Sequence, residues 1–379
     1  MELTYKTIDE LVVRIDERNM SNEDIPLVGL SIDKCFIPSV ANTIGTDISK
    51  YKRIYKKDFA VSLMQVSRDS KIPIACLKEY DIAIMSPAYS IFRVKDEKVI
   101  LPEYLEMWFR RSEFDREAAF IAVGGVRGSM PWEEFAMMKV AVPNIEKQKN
   151  FVRAYRAIND RIVLKKKINN NLTEQLVLAN KQLFPLASDS KENINISDIC
   201  EHIYSGGTPA TTEDSFWNGK YPWLSSGETS NSYIIKTIKH ISNEGIMNSS
   251  TKLASSGSTV IASAGQGLTR GQTSLLMIDT YVNQSIIVLK PKPGYSGFLY
   301  SNLKGRYNEM RNLSDLDSIR GSLTTKTVGA LPVLKVSKEQ LLQFESYCSK
   351  IFAMVNSNIC EIELMQNCAA NITSILLNH

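Results

Sequence analysis

The residues best suited to chemistry in this 379-residue chain lie in a few short runs. VIASAGQGLTRG leads from a strand-like segment into Gly265, Gly267 and Gly271, a setting in which backbone amides can cradle a phosphate. Its glycine spacing departs from the dinucleotide-binding pattern, and QTSLLMID follows where a helix should open, so it reads as a Gly-rich turn. Gly219-Lys220 precedes Tyr221 rather than Ser or Thr, which excludes a phosphate-loop lysine. The chain contains neither an Asn/Asp-Pro-Pro-aromatic run nor a Pro-Cys pair, as base methyl transfer would require. His202, His240 and His379 are too scattered for a metal centre, and Cys35, Cys76, Cys200, Cys348, Cys360 and Cys368 show no paired short spacing. The expectation is a protein with no active site, metal or cofactor of its own.

Binding remains. KYKRIYKK (Lys50 to Lys57) interleaves five basic residues with Tyr51 and Tyr55, which suits phosphate contacts with aromatic packing between them or, equally, a solvated strand edge protected by lysines. In the second half Lys236, Lys239, Lys252 and Arg270 lie in Ser- and Asn-rich stretches that can read base edges or merely hold turns. The aromatic run FWNGKYPW (Phe216 to Trp223) can stack on a base, although core packing is the favoured reading. A net charge of +4, from 45 basic and 41 acidic residues, permits an anionic partner without demanding one.

These runs must be positioned by larger elements, and the organisation is a duplication. GVRGSM (Gly125 to Met130) recurs as SIRGSL (Ser318 to Leu323), and the offset of 193 then sets Val140 on Val333, Asn144 on Ser337, Phe151 on Phe344, Ile158 on Ile351 and Ile162 on Val355. Upstream, TIDELVVRI (Thr7 to Ile15) matches NISDICEHI (Asn195 to Ile203) at an offset of 188. The period is about the size of a domain, too long for a solenoid repeat.

Each copy ends in apolar residues spaced three and four apart, the signature of one helix face. In the second copy the stripe runs Leu341, Phe344, Cys348, Ile351, Val355, Ile359, Ile362, Met365, Ala369, Ile372 and Leu376; in the first, Phe151, Tyr155, Ile158 and Ile162, a basic interruption at Lys165 to Lys167, then Ile168, Leu172, Leu176, Ala179 and Leu183. Ser337 with Gln340 forms a capping box, Asn144 is the matching N-cap, and Pro185 stops the first helix. Two helices about 60 Å long, at 1.5 Å per residue, would bury their seams against each other. An antiparallel pair with a globular unit at each end is the economical arrangement; the alternative is that each helix packs only on its own domain. The globular parts combine strand-like runs such as DFAVSLMQV, DIAIMS, STVIASA, TSLLMI and QSIIVLK with one short helical stretch per copy, PEYLEMWFRRSEF and FLYSNLKGRYNEM. The predicted fold is α+β, with boundaries at 1–143 and 186–336 for the mixed domains and at 144–185 and 337–379 for the helices. No apolar run approaches the roughly 20 residues of a spanning helix and no leading segment resembles a signal peptide, so a soluble cytoplasmic protein is expected.

With this organisation, SGGTPATTEDSFWNGKYPWLSSGE in the second half, and DISKYKRIYKKDFAVSLMQVSRDSKIPIA and SPAYSIF in the first, the sequence resembles the specificity subunits of type I restriction-modification systems over essentially its whole length. The resemblance implies two pseudo-symmetric target-recognition domains, each reading one part of a split double-stranded DNA sequence, separated by a long antiparallel two-helix coiled coil. It implies two modification (methyltransferase) subunits and, in the full complex, restriction (translocase-nuclease) subunits as partners, with S-adenosylmethionine, ATP and Mg on those partners alone. A rival reading is a non-catalytic scaffold that gathers proteins without reading sequence.

Residues common to both copies must serve what both need, so Arg127 and Arg320, with Gly128 and Gly321, are assigned to the turn or to phosphate. Residues that differ are the candidate DNA readers: Lys52, Arg53, Gln65, Arg68 and Ser86 in the first unit, and Thr208, Lys236, Gln266, Arg270 and Gln272 in the second. Phe151, Ile158, Ile162, Leu172, Phe344, Ile351, Val355 and Ile362 are assigned to the coiled-coil interface.

Overall fold

The computed structural model describes residues 4–20, 25–39, 47–64, 66–124, 128–186, 192–265, 267–317 and 321–375. Gln65, Arg127, Gln266 and Arg320 lie outside the described residues. The chain divides into two compact units, one of residues 1–163 with 363–379 and one of 164–362.

The first unit opens with the strand Thr4–Thr7, paired antiparallel to Lys139–Val142, and a helical turn at Ile8–Leu11. That turn is closed by a capping box in which Thr7 and Glu10 satisfy each other's backbone N–H groups. Strands β1 (Val12–Ile15), β2 (Phe59–Val61), β3 (Ile74–Cys76) and β4 (Ser90–Val94) form a sheet in the order β1-β4-β2-β3. Two helices, α1 (Pro102–Phe109) and α2 (Ser112–Ile121), close over it. PEYLEMWFRRSEF is thus not one helix but two. The chain breaks at Arg110, whose guanidinium reaches back to Glu106 and across to the Lys34 carbonyl. The core is aromatic: Phe59 stacks on Phe92 at 5.2 Å, and Phe109, Phe114 and Phe135 surround them edge-on or tilted. Burial of such side chains is worth roughly 1.5–3 kcal/mol each. The long helix α3 (Ile145–Leu183) begins against this core, with the Asn144 side chain accepting from the Lys147 N–H as the N-cap.

The second unit repeats the opening. Asn193–Asn195 pairs with Pro332–Leu334, and the turn Ile196–Ile199 carries the same capping box through Asn195 and Asp198. Strands follow as β5 (Cys200–Ser205), β6 (Trp217–Leu224), β7 (Tyr233–Ile234), β8 (Lys239–Ile241), β9 (Lys252–Ala254), β10 (Thr259–Ala262), β11 (Thr273–Leu276), β12 (Thr280–Val282) and β13 (Ile286–Pro291). They form two sheets, β5-β13-β10-β11-β7 and β8-β6-β12-β9. Gly206 and Gly207 bring the chain so close over the second sheet that a Cβ on either would lie 2.0 Å from Val282 O or Ser250 Oγ. This explains two consecutive glycines in SGGTP. FLYSNLKGRYNEM is again two helices, α4 (Ser296–Lys304) and α5 (Tyr307–Asp317). The second long helix is α6 (Lys338–Ile375), opened by the Ser337–Gln340 capping box.

Within the second unit the two long helices meet and run antiparallel. Lys165 of α3 bonds Asn358 of α6 at 2.9 Å and pairs with Glu361 at 2.9 Å, while Asn358 donates to Asn169 at 2.8 Å. Lys165, the first residue of the basic interruption, is therefore part of the helix–helix contact. Leu172, Phe344, Ile351 and Val355 join the core of this unit, where Phe344 meets Phe184 edge-on at 5.2 Å. Ile362 is buried. Within the first unit, Tyr155, Asn159 and Ile162 of α3 line a cleft of about 450 Å³ with Ala369, Ala370 and Thr373 of α6. Ile158 there is half-buried, and Phe151 packs its ring 6.5 Å from Tyr104, on the core of its own unit. Phe151 thus belongs to the domain core because its helix begins there. Among the described residues, no helix is long and apolar enough to cross a membrane.

Candidate nucleic-acid interface

In both units the described end of the repeated motif, Gly128–Met130 or Gly321–Leu323, docks on one particular loop. In the first unit this is the β2–β3 connection, residues 62–73: Met130 N–H donates to the Leu63 carbonyl at 2.8 Å. In the second it is the β10–β11 connection, residues 263–272: Leu323 N–H donates to the Ser263 carbonyl at 2.9 Å. Met130 and Leu323 are equivalent at the 193 offset. The glycine of each turn adopts the left-handed region, at φ 69° for Gly128 and 58° for Gly321, a conformation that glycine alone adopts without strain. A Cβ at Gly128 would stand 2.2 Å from Ser67 Oγ, and one at Gly321 would stand 2.2 Å from an Arg270 nitrogen. The motif recurs because each unit builds the same loop-on-turn assembly.

The loop in the second unit is held from below by a polar face of α4 and α5. Lys304 Nζ donates to the Thr273 carbonyl at 2.9 Å and Tyr307 Oη to the Leu268 carbonyl at 2.9 Å. Arg311 donates to the Gly267 carbonyl, and Asp315 accepts from Arg270, which also donates to the Gly321 carbonyl. Gly265, Gly267 and Gly271 all have positive φ, so the loop's path depends on glycine at those positions. Burial pushes the Lys304 ammonium down to about 8. In the first unit the corresponding loop is anchored by the Asp115 carboxylate, which accepts from Ile72 N–H at 3.1 Å, and it contains a helical turn at Val66–Asp69.

Arg68 lies on this assembly, 63% exposed and forked onto the neighbouring Asp69 at 2.7 and 3.0 Å. Arg270 and Gln272 lie on the matching loop, and Gln272 accepts weakly from the Thr229 hydroxyl at 3.5 Å. The other candidate readers lie elsewhere. Ser86 follows the strand Ile82–Met85, half-buried in a turn closed by Tyr89 N–H onto its carbonyl. Arg53, on the strand Lys52–Tyr55, is half-buried against Asn19 and Glu17. Thr208 bonds Gln284, and Lys236 is exposed after β7.

Two assignments need correction. Lys52 is 5% exposed, with its ammonium on Asp16 at 3.3 Å and the Tyr89 carbonyl at 3.0 Å. It cannot reach a nucleic acid, because its strand turns it inward and its donors are spent on fold contacts. Lys56 and Lys57 of the same run pair with Asp81 and Glu97 at 3.0 and 2.8 Å. The Arg270 side chain is only 13% exposed and grips Asp315 and Gly321, so its fork is unavailable to a guanine edge in this conformation. The face Tyr307, Arg311 and Asp315 was not picked out from sequence. Its signal is a polar stripe at four-residue spacing following Lys304.

In the aromatic run Trp223 is buried, while Trp217 and Tyr221 are half-buried. Trp217 meets Trp223 edge-on at 5.1 Å and donates its indole N–H to the Ala210 carbonyl at 3.0 Å. The run is itself a strand, β6, and of its aromatic residues Trp223 alone is buried. Among the described residues no three of His, Cys, Asp and Glu gather as metal ligands.

The family model of the type I restriction modification DNA specificity domain matches residues 188–332, the stretch that contains β5 to β13, α4 and α5. Over nearly the whole chain the fold is that of the type I restriction-modification S subunit from M. genitalium: 14% identity, 99% of this chain against 96% of that one, TM-score 0.54. The HsdS subunit from Thermoanaerobacter tengcongensis aligns at 14% identity over 98% and 96% of the two chains, TM-score 0.36. Residues 188–332 thus match the type I restriction modification DNA specificity domain, and the chain as a whole carries the fold of the M. genitalium S subunit.

Proposed function

We propose that the chain is the DNA sequence-recognition subunit of a type I restriction-modification complex, each unit reading one half of a bipartite asymmetric site. The observation that carries this reading is the duplicated assembly. Residues at equivalent positions of the two copies, Gly128 with Gly321 and Met130 with Leu323, build the dock, whereas the loops seated on it differ in length and composition. A constant frame under a variable loop is what two readers of unlike half-sites need. Recognition falls to residues 1–143 and 186–336, and the helices at 144–185 and 337–379 act as spacers. Lys236, Arg68 and Gln272 offer groups suited to phosphate or base edges, and Gln65 and Gln266 are further candidates.

In this reading the chain is non-catalytic and positions its partners on double-stranded DNA. Two modification subunits methylate with S-adenosylmethionine, restriction subunits hydrolyse ATP with Mg and cleave, and the complex works in the cytoplasm. The test is selection from randomised duplex DNA by the chain with its modification subunits, at two salt concentrations. Enrichment of a split motif with a fixed gap supports the reading; binding indifferent to sequence would leave a protein scaffold instead.

A further inference from the structure

Lys304, Tyr307, Arg311 and Asp315 project from one face at spacings of three, four and four residues, across the junction of α4 and α5. Each meets the 267–273 segment: Thr273, Leu268, Gly267 and Arg270 in turn. Three of the four contacts go to backbone carbonyls. They therefore fix the path of the loop without specifying its side chains. The fourth locks Arg270 and, through it, the Gly321 carbonyl of the repeated turn. A loop with three left-handed glycines has an unusually large set of alternative paths. Something outside the loop must select one path.

We propose that this face of α4 and α5 is a positioning template that holds residues 267–273 in their reading conformation and so sets base preference in one half of the site. Arg270 is then a positioning residue, not a base reader. The inference rests on the function proposed above. The first unit holds its own loop by other means, through Asp115 and the turn at Val66–Asp69. Loosening the template therefore degrades one half-site and spares the other.

The experiment is the same duplex selection, with the chain and its modification subunits, applied to the wild type and to Tyr307→Phe, Arg311→Met and Arg270→Met. The variants should lose about tenfold in discrimination at one or more positions of a single half-site, the scale of one specific base contact. The other half and the gap length should be retained. Tyr307→Phe removes only a hydroxyl. It decides the matter if the arginine variants do not fold, and its thermal unfolding midpoint should match the wild type. Unchanged preference in both halves overturns the proposal, as does equal loss in both. Arg270→Met choosing a different base, rather than tolerating all bases, overturns it too and makes Arg270 a reader. A wild type that selects no motif overturns the function itself, a result distinct from any of these.

Discussion

The Lys165 ammonium donates to the Asn358 side chain at 2.9 Å, and Asn358 is the residue that the internal repeat assigns as the duplicate of Lys165. In an antiparallel pair of duplicated helices, a residue meets its own duplicate only where the local two-fold of the pair crosses the interface. That crossing is polar. Asn358 also donates to the buried Asn169, and Lys165 reaches Glu361. Polar pairs at such positions fix register at some cost in stability.

Asn358→Leu should therefore destabilise the chain by about 1–2 kcal/mol, because Asn169 is left buried without its donor. The double replacement Asn169→Leu/Asn358→Leu removes both polar groups and should recover most of that loss. Denaturant unfolding of the two singles and the double, read as a cycle, checks this; additive losses would contradict the coupling.

Gly321→Ala forces a Cβ into the left-handed region and against the Arg270 guanidinium, so both backbone strain and displacement of Arg270 follow. Gly294 also has positive φ, 81°, but faces open space. Gly294→Ala should cost about 1 kcal/mol and Gly321→Ala more. Equal shifts in thermal midpoint would show that the dock contributes nothing beyond conformation.

Lys304 gives a pH signature. Burial lowers it from its ordinary 10.5 to about 8. Between those values the unfolded chain holds a proton that the folded chain has released, so the stability contribution rises with pH from about 8 to about 10.5 and is flat below. The span corresponds to at most about 3.5 kcal/mol. Lys304→Met, compared with wild type across pH 7 to 10, should flatten the difference curve. If both proteins show the same pH dependence, the amine is hydrated and unperturbed.

Lys52 and Arg68 separate structure from reading. Lys52→Met loses the Asp16 and Tyr89 contacts and should lower stability by about 1–2 kcal/mol while leaving the selected DNA motif unchanged. Arg68→Ala touches only its exposed fork onto Asp69, and should leave the melting midpoint unchanged while weakening DNA binding. A change of motif in Lys52→Met, or undiminished binding in Arg68→Ala, would reverse the two assignments.

Local signals carried a good deal. The 193 offset, the capping residues Asn144, Ser337 and Gln340, and the apolar stripes sufficed to place two long helices and a duplicated pair of units, because helix boundaries and faces depend on residues within a few positions of one another. The Gly-rich turn at 265–271 was legible as a turn for the same reason. The role of each charge was not. Lys52 reads as a surface cation until Asp16 meets it, Arg270 as a DNA fork until Asp315, 45 residues on, takes it, and Lys165 as a break in a seam until Asn358 arrives from 193 residues away. Periodicity tells which face of an element is apolar. The meaning of a charged group depends on its desolvation and its partner, and both come from distant parts of the chain, so only tertiary packing could decide them.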